Sequence, residues 1–502
     1  MLQLILSVLP FFAAWGVWTL LHRVYFHPLA DVPGPLLGRM FHFYSFWHNI
    51  NGGRFYLKIP ELHAKYGPVV RITPSELHLD EPEYCDKVYS VGSNYSKDPS
   101  FYGSFGTPKA TFATCDPRLH RIKRAVLNPF FSQKRVFELE ELIQQKVTLL
   151  ISRSRQSLTA TGEVNLHLAF RALAIDVVTD YAFGQCYGFL ERPDFGIDFF
   201  RMIQSLGPGV WVFNQFPIVQ PISMAIPLRL AKLMSRSLSK MMIHHQESRR
   251  RILEVKERMK NQETQDRETI FHQILQSERV KNGNVPTIQE LEDEVYVILA
   301  AASETTGNAL TVAAYHIVRN PQICATLLKE LRTEFPDENG SMEYKSLKAL
   351  PYLTGVVKEA LRTSSGVPGR LPRIVPRGGA QFGKYHVPEG TIVSMSPWSV
   401  NYNSRIFPNP GEFDPARWTD PAESKRMDKY LFSFGKGSTQ CIGISLAYSE
   451  LYLVLGRFFR TVSGLKTRGR SREELLYNDY FSGFYPEGTT RDFTFRYQDK
   501  QD

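Results

Sequence analysis

Cys441 stands in "FSFGKGSTQCIGISLAYSELY", residues 432–452, among Gly435, Gly437 and Gly443 and just ahead of an apolar helical pattern. Three chemistries compete for such a cysteine. A phosphate-binding loop needs GxxxxGK followed by Ser or Thr; here Lys436 lies between the glycines and a cysteine stands where the helix should begin, so that pattern fails. An inert buried thiol is the default for a lone cysteine. The third is a thiolate. Glycines let the backbone wrap the sulfur with N–H groups, and the following helix adds a positive dipole end; both favour the ionised form. A thiolate held that way is a good iron ligand. A cysteine nucleophile stays open as well, because its histidine partner would be placed by the fold and not by the spacing.

The elements that must position this loop can be outlined. A helix is expected from about Ile442 to Phe459. The clearest helical pattern runs from Thr287, as N-cap, to Asn320, where Pro321 ends it. It is longer than an ordinary globular helix and apolar in its middle, so it is expected to cross the centre of the protein. Helical patterns dominate from Asp116 to Arg362. "YGPVVRITPSELHL" (66–79) alternates as strand broken by Pro74, and short β-type runs such as "TIVSM" lie between Gly366 and Met395. Residues 404–431 read as an irregular, packed meander. The fold class is mainly α with a smaller β region, in one unit over residues 36–502.

Composition narrows the function. The chain has 502 residues, 43% of them hydrophobic, ample for a large core. Its five cysteines are scattered with no CxxC pair, which excludes zinc spacing and a disulfide framework and fits a reduced, cytosol-facing protein. The sequons at Asn94 and Asn339 are read as unused. The net charge of +10 is spread along the chain. Its densest run, residues 247–262, carries glutamates too, so it reads as a solvated helix face, and no nucleic-acid partner is expected. Residues 1–22 open on "MLQLILSVLPFFAAWGVWTLL", uncharged and long enough to span a bilayer at about 20 residues. With no basic segment before it, this reads as an uncleaved anchor, and Arg23 puts the bulk of the chain on the cytosolic side. Residues 23–35, containing "HPLADVPGP", read as a stiff hinge.

Phe434, Gly437, Cys441 and Gly443 match the haem-binding loop FxxGxRxCxG of the cytochrome P-450 superfamily, which the chain resembles over essentially its whole length. "AASETT" (301–306) matches that family's oxygen-binding segment, "EALR" (359–362) its ExxR helix, and "FDPARW" (413–418) its meander motif, in the family's order. The sequence most resembles the fungal secondary-metabolism branch, of the trichodiene oxygenase kind, through "YFHPLADVPGP" and "LNPFFS". The resemblance implies the cytochrome P-450 fold behind one transmembrane helix, and haem b with Cys441 as axial iron ligand. It implies a monooxygenase fed with NADPH-derived electrons by a reductase, with cytochrome b5 as a further donor. A monomer in the endoplasmic reticulum membrane, with its catalytic domain facing the cytosol, is expected.

One departure stands out. The family usually has an arginine two residues before the cysteine, paired with a haem propionate; here it is Thr439. The resemblance gives the remaining propionate ligands as His120 and Arg124, at i and i+4 on one helix face, and Arg373. It makes Glu304 and Thr305 the proton-delivery pair; a helical Thr hydroxyl can bond back to the carbonyl four residues earlier, here Ala301. It makes Glu359, Arg362 and Arg417 a buried structural network. Arg121, Lys123 and Lys436 are read as a basic face for an acidic electron donor. Substrate contacts are expected from Phe101, Tyr102, Phe105, Ala301, from Val367 to Leu371, and from the "YFSGFY" turn around Ser482. "GPGVWVFNQFPIV" (207–219) is expected to dip into the membrane and shape an entrance. The substrate is then a lipophilic terpenoid or polyketide. Desaturation, ring closure or coupling on the same fold, or impaired turnover caused by Thr439, are the alternatives.

Overall fold

The structure is a computed structural model that describes residues 2–261, 269–276, 286–338, 340–467, 475–486 and 493–497, without the side chains of residues 2–9 and 273. Asn339, of the second sequon, lies outside the described residues. The helices used below are α1 (Leu2–Leu21), α2 (Pro117–Leu127), α3 (Leu166–Phe183), α4 (Ile288–Arg319), α5 (Pro351–Ser364) and α6 (Ile444–Thr461).

Local chemistry starts α2 and α4. Asp116 accepts hydrogen bonds from the N–H groups of Arg118 and Leu119 and Pro117 opens α2, an N-cap followed by a residue with no donor to lose. Thr287 caps α4: its hydroxyl accepts from Glu290 N at 3.1 Å, and the Glu290 carboxylate accepts from Thr287 N at 3.0 Å, a reciprocal capping box. Helix α4 ends at Arg319, before Pro321, as the sequence indicated. It packs along α3, which is buried over almost its whole length. A Cβ at Gly307 would lie 2.5 Å from Arg171 Cγ, so this glycine lets the two helices close. Helices α3 to α6 share the larger hydrophobic core.

The β region is small. Strands β1 (Val69–Arg71), β2 (Glu76–Leu79), β3 (Ser96–Lys97), β4 (Arg373–Ile374) and β5 (Ile392–Ser394) form one sheet in the order β1-β2-β5-β4-β3. The β2–β5 pair is parallel and the others antiparallel. Pro74 falls in the β1–β2 turn. A hairpin of β6 (Asn478–Tyr480) and β7 (Ser482–Phe484) turns at Phe481, whose φ is +75°.

The N-terminal segment forms α1 with Pro10 inside it and leaves Phe11, Phe12, Trp15 and Trp18 exposed. Among the described residues no helix is long and apolar enough to cross a membrane. The expected stiff hinge is instead a turn-rich segment packed on the globule. Leu29 and Val32 are buried, and the buried Arg71 guanidinium donates to the carbonyls of Arg23 at 2.8 Å and Leu29 at 3.2 Å. Residues 247–260 of the basic run lie on a helix, Arg236–Lys260, where Arg250 pairs with Glu247 and Glu254, in keeping with a solvated face; residue 262 lies outside the described residues.

Candidate active site

A cavity of about 400 Å³ lies between the 434–443 loop and α4. The loop is shaped by its own backbone: Cys441 N donates to Phe434 O at 2.9 Å and Gly435 N to Phe432 O at 3.0 Å. Gly437 has φ of +68°, and a Cβ there would meet Tyr89 O at 2.1 Å, so no other residue fits. Phe434 stacks near Tyr448 with ring centroids 5.4 Å apart. The result brings Cys441 Sγ to the cavity wall. The thiol is deep in the protein yet accessible, because it faces the cavity. Burial raises its pKa, against the pull of the Gly443 N–H and the Arg124 charge.

Across the cavity α4 presents Ala301, Ala302 and Thr305. The Thr305 hydroxyl donates to Ala301 O at 2.8 Å, the back-bond expected of it. Glu304 does not join it at the cavity wall. It is 2% exposed, its carboxylate bound to the Arg171 guanidinium of α3. Arg171 lies 3.4 Å from His167 Nε2, and His167 Nδ1 lies 3.1 Å from the Thr311 hydroxyl. The helix turn that points Thr305 at the cavity points its neighbour at α3.

One edge of the cavity is cationic. Arg373 donates to Tyr102 OH at 2.7 Å and to Thr439 Oγ at 2.9 Å; Arg124 donates to Asn128 Oδ1 at 2.8 Å. Lys97 and His120 line the same wall. Arg124, Arg373 and Lys97 form no ion pair among the described residues. His120 is not a cation: burial, then Lys97, Arg124 and Arg373, lower its pKa to about 4. It can serve as a neutral hydrogen-bond donor. A thiol facing a cavity whose edge carries cations that no acid pairs with suits a flat dianion with a sulfur-seeking metal, and haem fits that donor set.

Behind the cavity Glu359 and Arg362 are both fully buried and paired through two bonds, 2.7 and 2.9 Å. Arg417 Nε reaches the same carboxylate at 3.1 Å, and Trp418 Nε1 and Asp414 N donate to it at 2.8 and 3.0 Å. Burial would raise the Glu359 pKa; Arg362 and then Arg417 overcome it and hold the group below its ordinary value. Arg362 also donates to the carbonyls of Asn401, Pro410 and Glu412. The network ties α5 to the meander that leads into the cysteine loop.

Of the expected substrate contacts, Tyr102, Phe105, Ala301, Val367, Leu371 and Ser482 line the cavity. Phe101 does not; it packs against Trp211 and Phe481 in an aromatic cluster. The expected basic face is also incomplete. Arg121 is exposed and Lys436 pairs with Asp86 at 2.8 Å, but Lys123 falls on the buried face of α2 with His120 and Leu127 and pairs with Glu290 at 3.4 Å. In the 207–219 segment Gly207 and Val210 line the cavity and Trp211 is buried, donating to Asp479 O at 2.7 Å; Phe216 and Ile218 are exposed. Sequence reading missed Arg171, whose signal was a charge inside the apolar run "LHLAFRALAIDVV". Phe481, in the expected "YFSGFY" turn, lines the wall with Ser482, whereas Phe112 and Glu450 on the same wall carried no pattern that stood out. Glu450 is buried with Oε2 unpartnered, and burial pushes it up to about 8.

This fold and site define a haem-thiolate oxygenase. A profile of the cytochrome P-450 family matches residues 28–474, and the chain belongs to that family. It is 35% identical over 481 residues to cytochrome P-450 monooxygenase MO6277 of Ascocoryne sarcoides, covering 92% of each chain. It is 33% identical to cytochrome P-450 monooxygenase macH of Penicillium terrestre, covering 95% of this chain and 96% of the relative. It is 32% identical to cytochrome P-450 monooxygenase TRI4 of Fusarium sporotrichioides, covering 88% and 84%. The chain is an oxidoreductase of the monooxygenase kind.

Proposed function

We propose that this chain is a haem-thiolate monooxygenase of fungal secondary metabolism that hydroxylates or otherwise oxidises a lipophilic small molecule, a terpenoid or polyketide intermediate. The observation that carries the reading is Cys441 facing Ala301 and Thr305 across one cavity whose edge holds Arg124 and Arg373. When bound, haem supplies the iron at which dioxygen is reduced and one oxygen atom is passed to substrate. Cys441 is its ligand, and Arg124, Arg373 and the His120 N–H hold its carboxylates.

The chain's own residues set the conditions. Thr305 already spends its hydroxyl on the Ala301 carbonyl, which loosens α4 beside the cavity and leaves the oxygen free to accept and pass a proton. Glu304, held by Arg171, is a locked acid behind it; releasing that pair is the step that makes it a proton source. Phe105, Phe112, Phe481 and Val210 make the distal wall apolar, which excludes water and favours a hydrocarbon-rich substrate.

Electrons come from NADPH through a reductase, with cytochrome b5 as a second donor. The protein works as a monomer on the cytosolic face of the endoplasmic reticulum. Support for a membrane location is the row of exposed aromatics on α1 together with exposed Phe216, Ile218, Ile222 and Leu233 in the 207–234 region. The test is turnover in reductase-supplemented membranes under ¹⁸O₂ with a panel of terpene and polyketide hydrocarbons. A product carrying one labelled oxygen supports the reading. Dehydrogenated or cyclised product without label would move the assignment to desaturation or ring closure.

A further inference from the structure

Lys97 and Arg373 are direct cross-strand partners in the β3–β4 ladder. Both are buried, 6% and 4% exposed, and both line the cavity. Like charges placed opposite each other in a ladder repel, the more so away from water. Lys97 Nζ gives one hydrogen to Phe112 O at 2.6 Å and lies 5.2 Å from the centre of the Tyr102 ring. No group around the pair forms an ion pair with it, although Glu294 lies near enough to raise the Lys97 pKa. Tyr102 and Cys115 are held protonated by burial, and Glu294 accepts its hydrogen bonds from Thr111 N at 2.8 Å and Thr111 Oγ at 2.9 Å. Burial and then Arg373 lower the Lys97 ammonium to about 7. Two adjacent cations thus face the cavity, and no carboxylate among the described residues pairs with either.

We propose that Lys97 takes over from the arginine absent at position 439: with Arg373 it clamps one haem propionate from the sheet edge. Thr439 keeps the clamp aligned by accepting from Arg373 at 2.9 Å, and the smaller side chain leaves the space a longer one would fill. Arg124 serves from α2. A propionate between Lys97 and Arg373 removes their repulsion and gives the ammonium the anion it lacks. The inference rests on the haem reading above.

The test is haem release from the loaded full-length chain to excess apomyoglobin, with resonance Raman of the propionate bending modes. Lys97→Met is expected to release haem at least about tenfold faster, the worth of one charged hydrogen bond, and to shift a propionate mode. Lys97→Arg should release at close to the native rate. Thr439→Arg added to Lys97→Met should restore slow release, or restore loading if the single variant does not load. A mere staple to the Phe112 carbonyl would not respond to Thr439→Arg, which returns the charge but not that bond. Native release from Lys97→Met with an unchanged propionate mode, or no rescue by Thr439→Arg, would overturn the clamp alone. Absence of any thiolate–haem band in the native chain would overturn the haem reading and the clamp with it.

Discussion

Arg171 on α3 and Glu304 on α4 form a salt bridge in which the two side chains are only 4% and 2% exposed. The guanidinium also sits 4.3 Å from the centre of the Phe200 ring. Glu304 immediately precedes Thr305, so the acid adjoining the cavity-facing hydroxyl is locked to α3 and turned away from the wall that carries Cys441.

That lock has a stability consequence. Arg171→Met should cost about 3–5 kcal/mol, because it leaves a buried carboxylate without its partner. Arg171→Met with Glu304→Met should recover most of that loss, since apolar replacement of a whole buried pair is often neutral. Thermal melts of the two variants check this; equal destabilisation in both would show that the pair is not what holds α3 to α4.

Thr305→Ala removes the hydroxyl that bonds Ala301 O. Product formed per NADPH is expected to fall about a hundredfold, the low end for a lost proton-transfer group, while NADPH consumption persists and hydrogen peroxide accumulates. Thr305→Ser should retain coupling. Coupled turnover in Thr305→Ala would remove this residue from proton delivery.

Glu359→Gln replaces an acid that accepts from Arg362, Arg417, Trp418 and Asp414 N. It leaves two guanidiniums without a buried counter-charge, for a loss of about 3–5 kcal/mol. The expected outcome is a chain that expresses poorly and loads little haem. Normal haem content and an unshifted melt would reduce the network to an ornament of the fold.

A histidine chain contributes to the acid sensitivity of the fold. His63 Nδ1 lies 2.8 Å from Gly67 O, His63 Nε2 lies 2.7 Å from His78 Nδ1, and His78 Nε2 lies 2.9 Å from Ser396 Oγ. A carbonyl only accepts, so His63 donates from Nδ1 and must accept at Nε2; His78 then donates from Nδ1 and accepts at Nε2. Protonating either ring destroys an acceptor. Burial accordingly lowers His63 from 6.5 to about 4, and burial with His63 and Arg370 lowers His78 well below 6.5. The unfolded chain therefore binds more protons as pH falls below 6.5, and stability must fall with it, by up to about 1.4 kcal/mol per pH unit for each site. Melting temperature should be flat above about pH 7.5 and decline towards pH 5. His63→Gln with His78→Gln should lower the melt at pH 7.5 and make the decline shallower, the remainder coming from His27, His120, His167 and His244, which burial also lowers; a native melt unchanged down to pH 5 would contradict the assignment.

The parts legible in the sequence were those fixed by local spacing. Thr287 and Pro321 bracketed α4, Asp116 opened α2, and "EALR" placed Glu359 and Arg362 on one helix face. The glycine loop told that Cys441 would be presented; the cavity it faces is built by α4, remote in sequence, and only the packed structure supplies it. Lys123 and Phe101 were misplaced for the same reason: which face of α2 is buried, and which aromatics pack on each other, depends on distant elements. Arg171 and Lys97 acquire meaning only through partners remote in sequence, Glu304 and Arg373.

Cys441 would hold haem iron through its thiolate. The most direct test is the carbon monoxide difference spectrum of the reduced, haem-supplemented chain beside Cys441→Ala. The account predicts a strongly red-shifted Soret band in the native protein and its loss in the variant, with both folded by circular dichroism. A folded native chain without that band, or a band that survives Cys441→Ala, would contradict it.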